Sequence, residues 1–232
     1  MEAGRPDSIT EEKLLVLRKH KVSRISVNPQ TMNQHTLDLI GRKHTVEQTK
    51  EAFHLARRCG FDNINMDLIS GLPGENYDDM EHTMQEITAL KPDSVTVHAL
   101  AIKRASRLNE LWEEYKDRTG TLDEETARMM ESYTRQMGLE PYYLYRQKNM
   151  AGNLENVGYA VLDKAGIYNI LIMEEKQTII AVGAGATTKL VFDGGERIER
   201  IDNVKSVEQY LARIDEMIER KRNIEWHLLR NQ

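Results

Sequence analysis

The first hundred residues alternate between strand-like and helix-like segments, and this alternation limits the fold more than any other feature. Val22 to Asn28 (VSRISVN) alternates as a half-buried strand does. Thr31 to Ile40 suits a short helix closed by Gly41. Thr45-Val46-Glu47-Gln48 is a capping box for a helix with Val46, Ala52, Phe53 and Ala56 inward, and Gly60 ends it. Ile64-Asn65-Met66-Asp67-Leu68-Ile69 reads as the next strand. Asn76 to Leu90 is a helix with Tyr77, Met80, Met84 and Ile87 on one stripe; Pro92 stops it before the strand Ser94 to Ala99. Ahead of these, Ser8-Ile9-Thr10-Glu11 is a capping box opening a helix to about His20. Repetition of this kind builds a parallel sheet covered by helices.

Beyond residue 105 the pattern changes, so the chain divides into a β-α part, 1–105, and a C-terminal part, 106–232. Thr121 to Met137 is helical, with Leu122, Met129, Met130, Tyr133 and Met137 as a core-filling stripe. Tyr168–Met173, Thr178–Val182, Lys189–Phe192 and Glu196–Ile201 read as short strands, with hairpin turns at Glu174–Gln177 and Asp193–Gly195. A last amphipathic helix starts at Ser206.

The chain is 40% hydrophobic and 30% charged, with a net charge of −5. No segment approaches the roughly 18 apolar residues of a membrane span, and the N-terminus lacks the apolar region of a signal peptide. The basic run Arg18 to Lys21 is offset by Glu11 and Glu12; a nucleic-acid surface is not expected. Cys59 is the single cysteine, which excludes an internal disulfide framework and points to a reducing cytoplasm.

In parallel sheets and barrels, ligands are met at the C-terminal ends of strands. Four polar residues fall there: Glu2 before a Gly-Arg-Pro turn, Gln30 after the Val22 strand, Asp67, and His98. Carboxylates at such a rim suit ribose hydroxyls and ammonium groups. The residues leave a second reading of Asp67 open, as a cap on the Gly71-Leu72-Pro73-Gly74 turn. Gly183-Ala184-Gly185-Ala186 opens no helix and reads as a tight turn. The seven histidines show no metal-ligand spacing, His54 and His82 fall on solvent-facing helix positions, and Cys59 reads as structural.

Longer stretches carry a resemblance. Glu2-Ala3-Gly4-Arg5-Pro6-Asp7, Arg24 to Gln30, Gly41-Arg42-Lys43-His44-Thr45 and Asn65 to Glu75 resemble the oxygen-independent coproporphyrinogen III oxidase/dehydrogenase family of radical S-adenosylmethionine enzymes. Pro141 to Asn153, with its Tyr-Arg-Gln-Lys-Asn-Met-Ala-Gly-Asn block, is similar to the HemZ-type branch. The resemblance implies an α/β fold: the C-terminal half of a (β/α)6 partial barrel, then a helical and small antiparallel-strand region. It implies S-adenosylmethionine as cofactor, with Glu2 at the methionyl group, Gln30 near ribose and methionyl, Arg42 paired with the carboxylate, Asp67 accepting from a ribose hydroxyl, and Ile69 and Ala99 as apolar contacts. It implies coproporphyrinogen III as substrate, two of its propionates oxidatively decarboxylated through a 5′-deoxyadenosyl radical to give protoporphyrinogen IX. Lys103, Arg104, Arg107, Arg146 and Lys148 are candidate partners for its carboxylates. It also implies an electron donor without identifying it.

Two departures matter. The family's [4Fe-4S] cluster is held by a Cys-x-x-x-Cys-x-x-Cys loop, and one cysteine cannot supply it. The expectation is a C-terminal portion of a longer enzyme, inactive by itself. The haem-chaperone branch carries His-Asn-x-x-Tyr-Trp where this chain has Glu155-Asn156-Val157-Gly158-Tyr159-Ala160. That loss disfavours the alternative of a haem or tetrapyrrole chaperone.

Overall fold

A computed structural model of the chain describes residues 1–100, 124–145, 155–222 and 224. The chain forms two compact units, Met1–Gly166 and Ile167–Gln232. The change of sequence pattern near residue 105 is therefore distinct from the division into units, because two later strands join the first sheet.

In the first unit, β1 (Ile25–Ser26), β2 (Ile64–Ser70), β3 (Ser94–Ala99), β4 (Glu140–Tyr145) and β5 (Asn156–Ala160) form one sheet in the order β1-β2-β3-β5-β4. The first three are parallel, and β5 runs antiparallel to both β3 and β4. Among the described residues the unit also holds helices α1 (Glu11–Lys19), α2 (Gln34–Leu39), α3 (Val46–Arg58), α4 (Tyr77–Leu90) and α5 (Glu124–Gln136). Leu14, Phe53, Ala56, Met84, Ile87 and Met130 pack with Ile25, Val27, Ile64, Met66, Leu68, Val95 and Val97 in one buried cluster. Those strand residues alternate along the chain, so these helices pack on one and the same face of the sheet.

Local chemistry sets the element ends. The Thr45 capping box is present, its hydroxyl accepting from the Gln48 N–H and the Gln48 side chain accepting from the Thr45 N–H. Asn76 and Asp79 form the same reciprocal pair at the head of α4. Lys91 takes a left-handed conformation (φ 55°), which ends α4 just before Pro92. The expected box at Ser8 is corrected: the Ser8 hydroxyl donates to the Arg5 carbonyl, and Thr10 caps α1 by accepting from the Lys13 N–H. The expected strand from Val22 to Asn28 pairs as a strand only at Ile25–Ser26. Pro29 has no N–H to offer a ladder, and Gln30 turns through a positive φ of 73°.

The second unit holds α6 (Ile167–Met173), a hairpin of β6 (Thr187–Phe192) and β7 (Arg197–Asp202), α7 (Val207–Ala212) and α8 (Ile214–Glu219). The hairpin turns at Asp193–Gly195 as expected. Residues 168–173, expected as a strand, are helical; a short apolar run without alternation does not separate the two. Thr178–Val182 contributes one bridge, Ile179 to Lys189, rather than a strand. Ser206 caps α7 by accepting from the Gln209 N–H, and the expected last helix breaks at Arg213. Leu190, Phe192 and Ile224 are its buried apolar centre. Gly183 and Gly185 both have positive φ, as a tight turn requires.

Candidate functional site

The sheet face turned away from the helices is polar. Cross-strand partners on it are Ser26, Asn65 and Ser94 in one row, then Asp67, Thr96, Gly158 and Tyr143, then Ile69 beside His98. Glu2 joins through a parallel bridge to Ser26. The sequence signal is a second period-2 pattern interleaved with the core: Ser26-Val27-Asn28, Asn65-Met66-Asp67, Ser94-Val95-Thr96-Val97-His98.

Glu2 is an oriented acceptor. Its carboxylate accepts from the Ser26 hydroxyl at 3.1 Å and from the Asn28 amide at 2.9 Å. Asp67 accepts from the Asn65 amide at 2.6 Å, and His98 Nε2 lies 4.0 Å from the same oxygen. Burial raises the Asp67 pKa; His98 opposes the rise and the charge of Glu2 adds to it. Two carboxylates therefore share one face.

Gln30 is strapped beside Asp67 by backbone bonds. Its N–H donates to the Asp67 carbonyl at 3.0 Å, and its own carbonyl accepts from the Ile69 N–H at 2.8 Å. Ile69 is half-buried on the polar face. Ala99 pairs with Ser70, which puts its side chain on the helix-covered face; its N–H is taken by the Asn156 side chain at 3.0 Å. Arg42 lies in the loop after α2, its N–H bonded to the Leu37 carbonyl. Burial lowers its pKa and Arg5 adds repulsion. Among the described residues no carboxylate pairs with Arg42. The structure thus brings Glu2, Asp67, Ile69 and His98 to one face, with Gln30 bridged to Leu68 at its edge, Arg42 on a separate loop and Ala99 behind the sheet. Lys103, Arg104, Arg107, Arg146 and Lys148 lie outside the described residues.

Glu75, which follows the Gly-Leu-Pro-Gly turn, was not singled out in the sequence. It is 4% exposed and accepts from the Thr31 hydroxyl at 2.5 Å and the Asn33 amide at 3.0 Å. Burial raises its pKa despite these bonds. Glu75 ties the loop after β1 to the head of α4. Fully buried His44 presents Nε2 to the Pro29 carbonyl at 3.1 Å. Burial lowers its pKa, so the neutral ring donates from Nε2 to that carbonyl. Both residues hold the loops that carry Gln30 and Arg42. Tyr143 was also missed, because Tyr142-Tyr143-Leu144-Tyr145 carries no strand alternation strong enough to assign a face.

The donor set fits S-adenosylmethionine: acceptor-only carboxylates for hydroxyl and ammonium groups, and an unpaired guanidinium for a carboxylate. It does not fit an iron–sulfur cluster. Cys59, at the end of α3, is the single cysteine, and among the described residues no group of three His, Cys, Asp or Glu could hold a metal ion.

Comparison with known proteins bears on both points. The family model for the Radical SAM superfamily matches residues 3–87. The oxygen-independent coproporphyrinogen-III oxidase-like protein HemZ of Bacillus subtilis (strain 168) is 49% identical over 224 residues, covering 95% of this chain and 44% of that protein. The heme chaperone HemW of the same organism is 35% identical over 98 residues, 42% of this chain and 26% of that protein. Among solved structures, coproporphyrinogen III oxidase (HemN) from Escherichia coli, a radical SAM enzyme, superposes with a TM-score of 0.67 at 19% identity. It covers 91% of this chain and 48% of that one, and shows the fold. The chain spans less than half the length of these relatives.

Proposed function

We propose, from the premise that the chain carries a radical S-adenosylmethionine superfamily domain, that the polar face of its sheet holds the ribose and methionyl groups of that cofactor. The protein it serves is an anaerobic coproporphyrinogen III dehydrogenase. The observation that carries the reading is the oriented carboxylate pair, Glu2 and Asp67, on the polar face of the sheet's parallel strands. Bound S-adenosylmethionine supplies hydrogen-atom abstraction.

The chain's own residues bind and orient. Asp67 accepts from a ribose hydroxyl, held in place by Asn65. Glu2 accepts from the methionyl ammonium, and Ser26 and Asn28 fix its two oxygens. Arg42 pairs with the methionyl carboxylate, where a planar guanidinium gives two parallel bonds. Gln30 lies between them, and Ile69 covers the nucleoside. Thiolates for a cluster would have to come from outside these 232 residues.

Similarity to HemZ over 95% of the chain supports the coproporphyrinogen reading. Similarity to HemW supports a second reading, tetrapyrrole handling without turnover, but it covers only 42% of the chain. Asn156, in the run that departs from the chaperone motif, is committed internally: it accepts from the Ala99 N–H and donates to the Tyr145 carbonyl. The test is anaerobic reconstitution of the intact gene product with iron and sulfide, then assay with S-adenosylmethionine and coproporphyrinogen III. Cofactor cleavage with protoporphyrinogen formation is expected. Cleavage without consumption of the porphyrinogen overturns the substrate; a Soret shift on haem titration in that case favours the second reading.

A further inference from the structure

We propose that His44 is a positioning residue for Gln30: by donating from Nε2 to the Pro29 carbonyl, it locks Gln30 in a left-handed backbone conformation that aims its side chain at the cofactor. The inference rests on the reading of Gln30 as a contact to S-adenosylmethionine. Gln30 stands at φ 73°, a conformation that sterics disfavour for any residue with a Cβ. Such a residue persists only where its surroundings hold the peptide groups on either side of it. After Gln30, its carbonyl accepts from the Ile69 N–H at 2.8 Å. Before it, the Pro29–Gln30 peptide is held at both ends. The N–H donates to the Asp67 carbonyl at 3.0 Å, and the carbonyl meets His44 Nε2 at 3.1 Å. With both peptides fixed, the sign of φ sets which way the Cβ leaves the backbone, and so where the side-chain amide can reach.

His44 reaches this corner from another stretch of chain. It stands two residues past Arg42 and directly before Thr45, whose capping box fixes the start of α3. The residue is fully buried. A carbonyl only accepts, so Nε2 carries the proton, and the neutral ring leaves a lone pair on Nδ1. That nitrogen is buried and has no hydrogen-bond partner among the described residues. An apolar side chain would fill the same space with no nitrogen left unmatched, so packing alone does not call for a histidine here. Two unfavourable features, a left-handed glutamine and a half-satisfied buried histidine, meet at a single peptide. Departures of this kind collect where function needs them. Without the Nε2 donor that peptide can turn, and Gln30 can relax to the negative φ it otherwise prefers.

The test uses the intact, cluster-reconstituted gene product and two readouts. Melting temperature reads the corner without ligand. At a residue held at positive φ, glycine is favoured over alanine, so Gln30→Gly should melt above Gln30→Ala. In a His44→Leu background, which fills the space without the donor, the order should reverse, because a relaxed corner no longer favours glycine. Calorimetric titration with S-adenosylmethionine reads the consequence. His44→Leu should bind roughly three- to tenfold more weakly. His44→Gln, whose amide N–H reaches about as far as Nε2, should recover most of that loss. Adding His44→Leu to Gln30→Gly should weaken binding no further than Gln30→Gly alone. Should His44→Leu not fold, His44→Asn, whose amide stops short of Pro29, takes its place. The proposal is overturned if the order of melting temperatures is the same in both backgrounds, if His44→Leu binds like the unaltered protein, or if its loss multiplies with that of Gln30→Gly. If neither Gln30→Gly nor Gln30→Ala alters affinity, the reading of Gln30 as a cofactor contact fails, and the proposal goes with it.

Discussion

Asp67 is held where its ionised form is disfavoured, buried and within reach of the charge of Glu2. A raised carboxyl pKa in the folded state means stability falls as pH rises from the unfolded carboxylate range through the folded value, with the full loss above it. Asp67→Asn should therefore stabilise the ligand-free protein at neutral pH by about 1 kcal/mol. The gain should vanish in acid, where the aspartate is protonated in both states. Denaturant unfolding at the two pH values checks the sign. Glu75 is a second buried carboxylate whose pKa burial raises, although the Thr31 and Asn33 donors on Oε1 oppose the rise. Glu75→Ala removes the acceptor that joins Thr31 and Asn33 and leaves a gap there, and should cost about 2 kcal/mol by thermal unfolding, whereas Glu75→Gln keeps an acceptor there and should cost less. Asp67 was legible in the sequence because a carboxylate interrupts an apolar strand. Glu75 was not, because a charged residue after a Pro-Gly turn reads as surface until the fold buries it.

The elements that were legible are those with caps and strong periodicity. The helices α3 and α4 carry reciprocal capping pairs, and β2 and β3 alternate cleanly. Asn76→Ala, which removes the α4 cap, should lower stability by about 1 kcal/mol, read as a shift in melting temperature. Elements that depend on distant partners were less legible. β1 is short because pairing to β2 gives way at Pro29 and Gln30. β4 carries Pro141 and a shift of register before Tyr143, tolerable on an edge strand. The isoleucines of α6 favour a strand, and nothing local marks the helix start. Gly158 gave no sign in the sequence of what it accommodates. Gly158→Ala forces the Tyr143 ring to move and should cost about 1–3 kcal/mol, measured by chemical denaturation.

Across the whole molecule, the site and the larger core belong to the first unit. Every residue of the sheet and of its buried cluster precedes Gly166. A polypeptide of residues 1–166 should therefore melt cooperatively and keep the helical and strand circular dichroism of that unit; a broad, non-cooperative melt would refute its independence. Among the described residues no helix is long and apolar enough to cross a membrane. The fold class was readable because β-α alternation fixes a parallel sheet. The polar face was readable only in part, because its second row depends on strands that enter the sheet from far along the chain. The central claim is that this face holds the ribose of S-adenosylmethionine through Asp67. The measurement that tests it most directly is the dissociation constant of S-adenosylmethionine for the intact gene product and its Asp67→Ala variant. Loss of a hydrogen bond to a charged acceptor predicts roughly ten- to hundredfold weaker binding. Equal affinity in the two proteins would contradict the account.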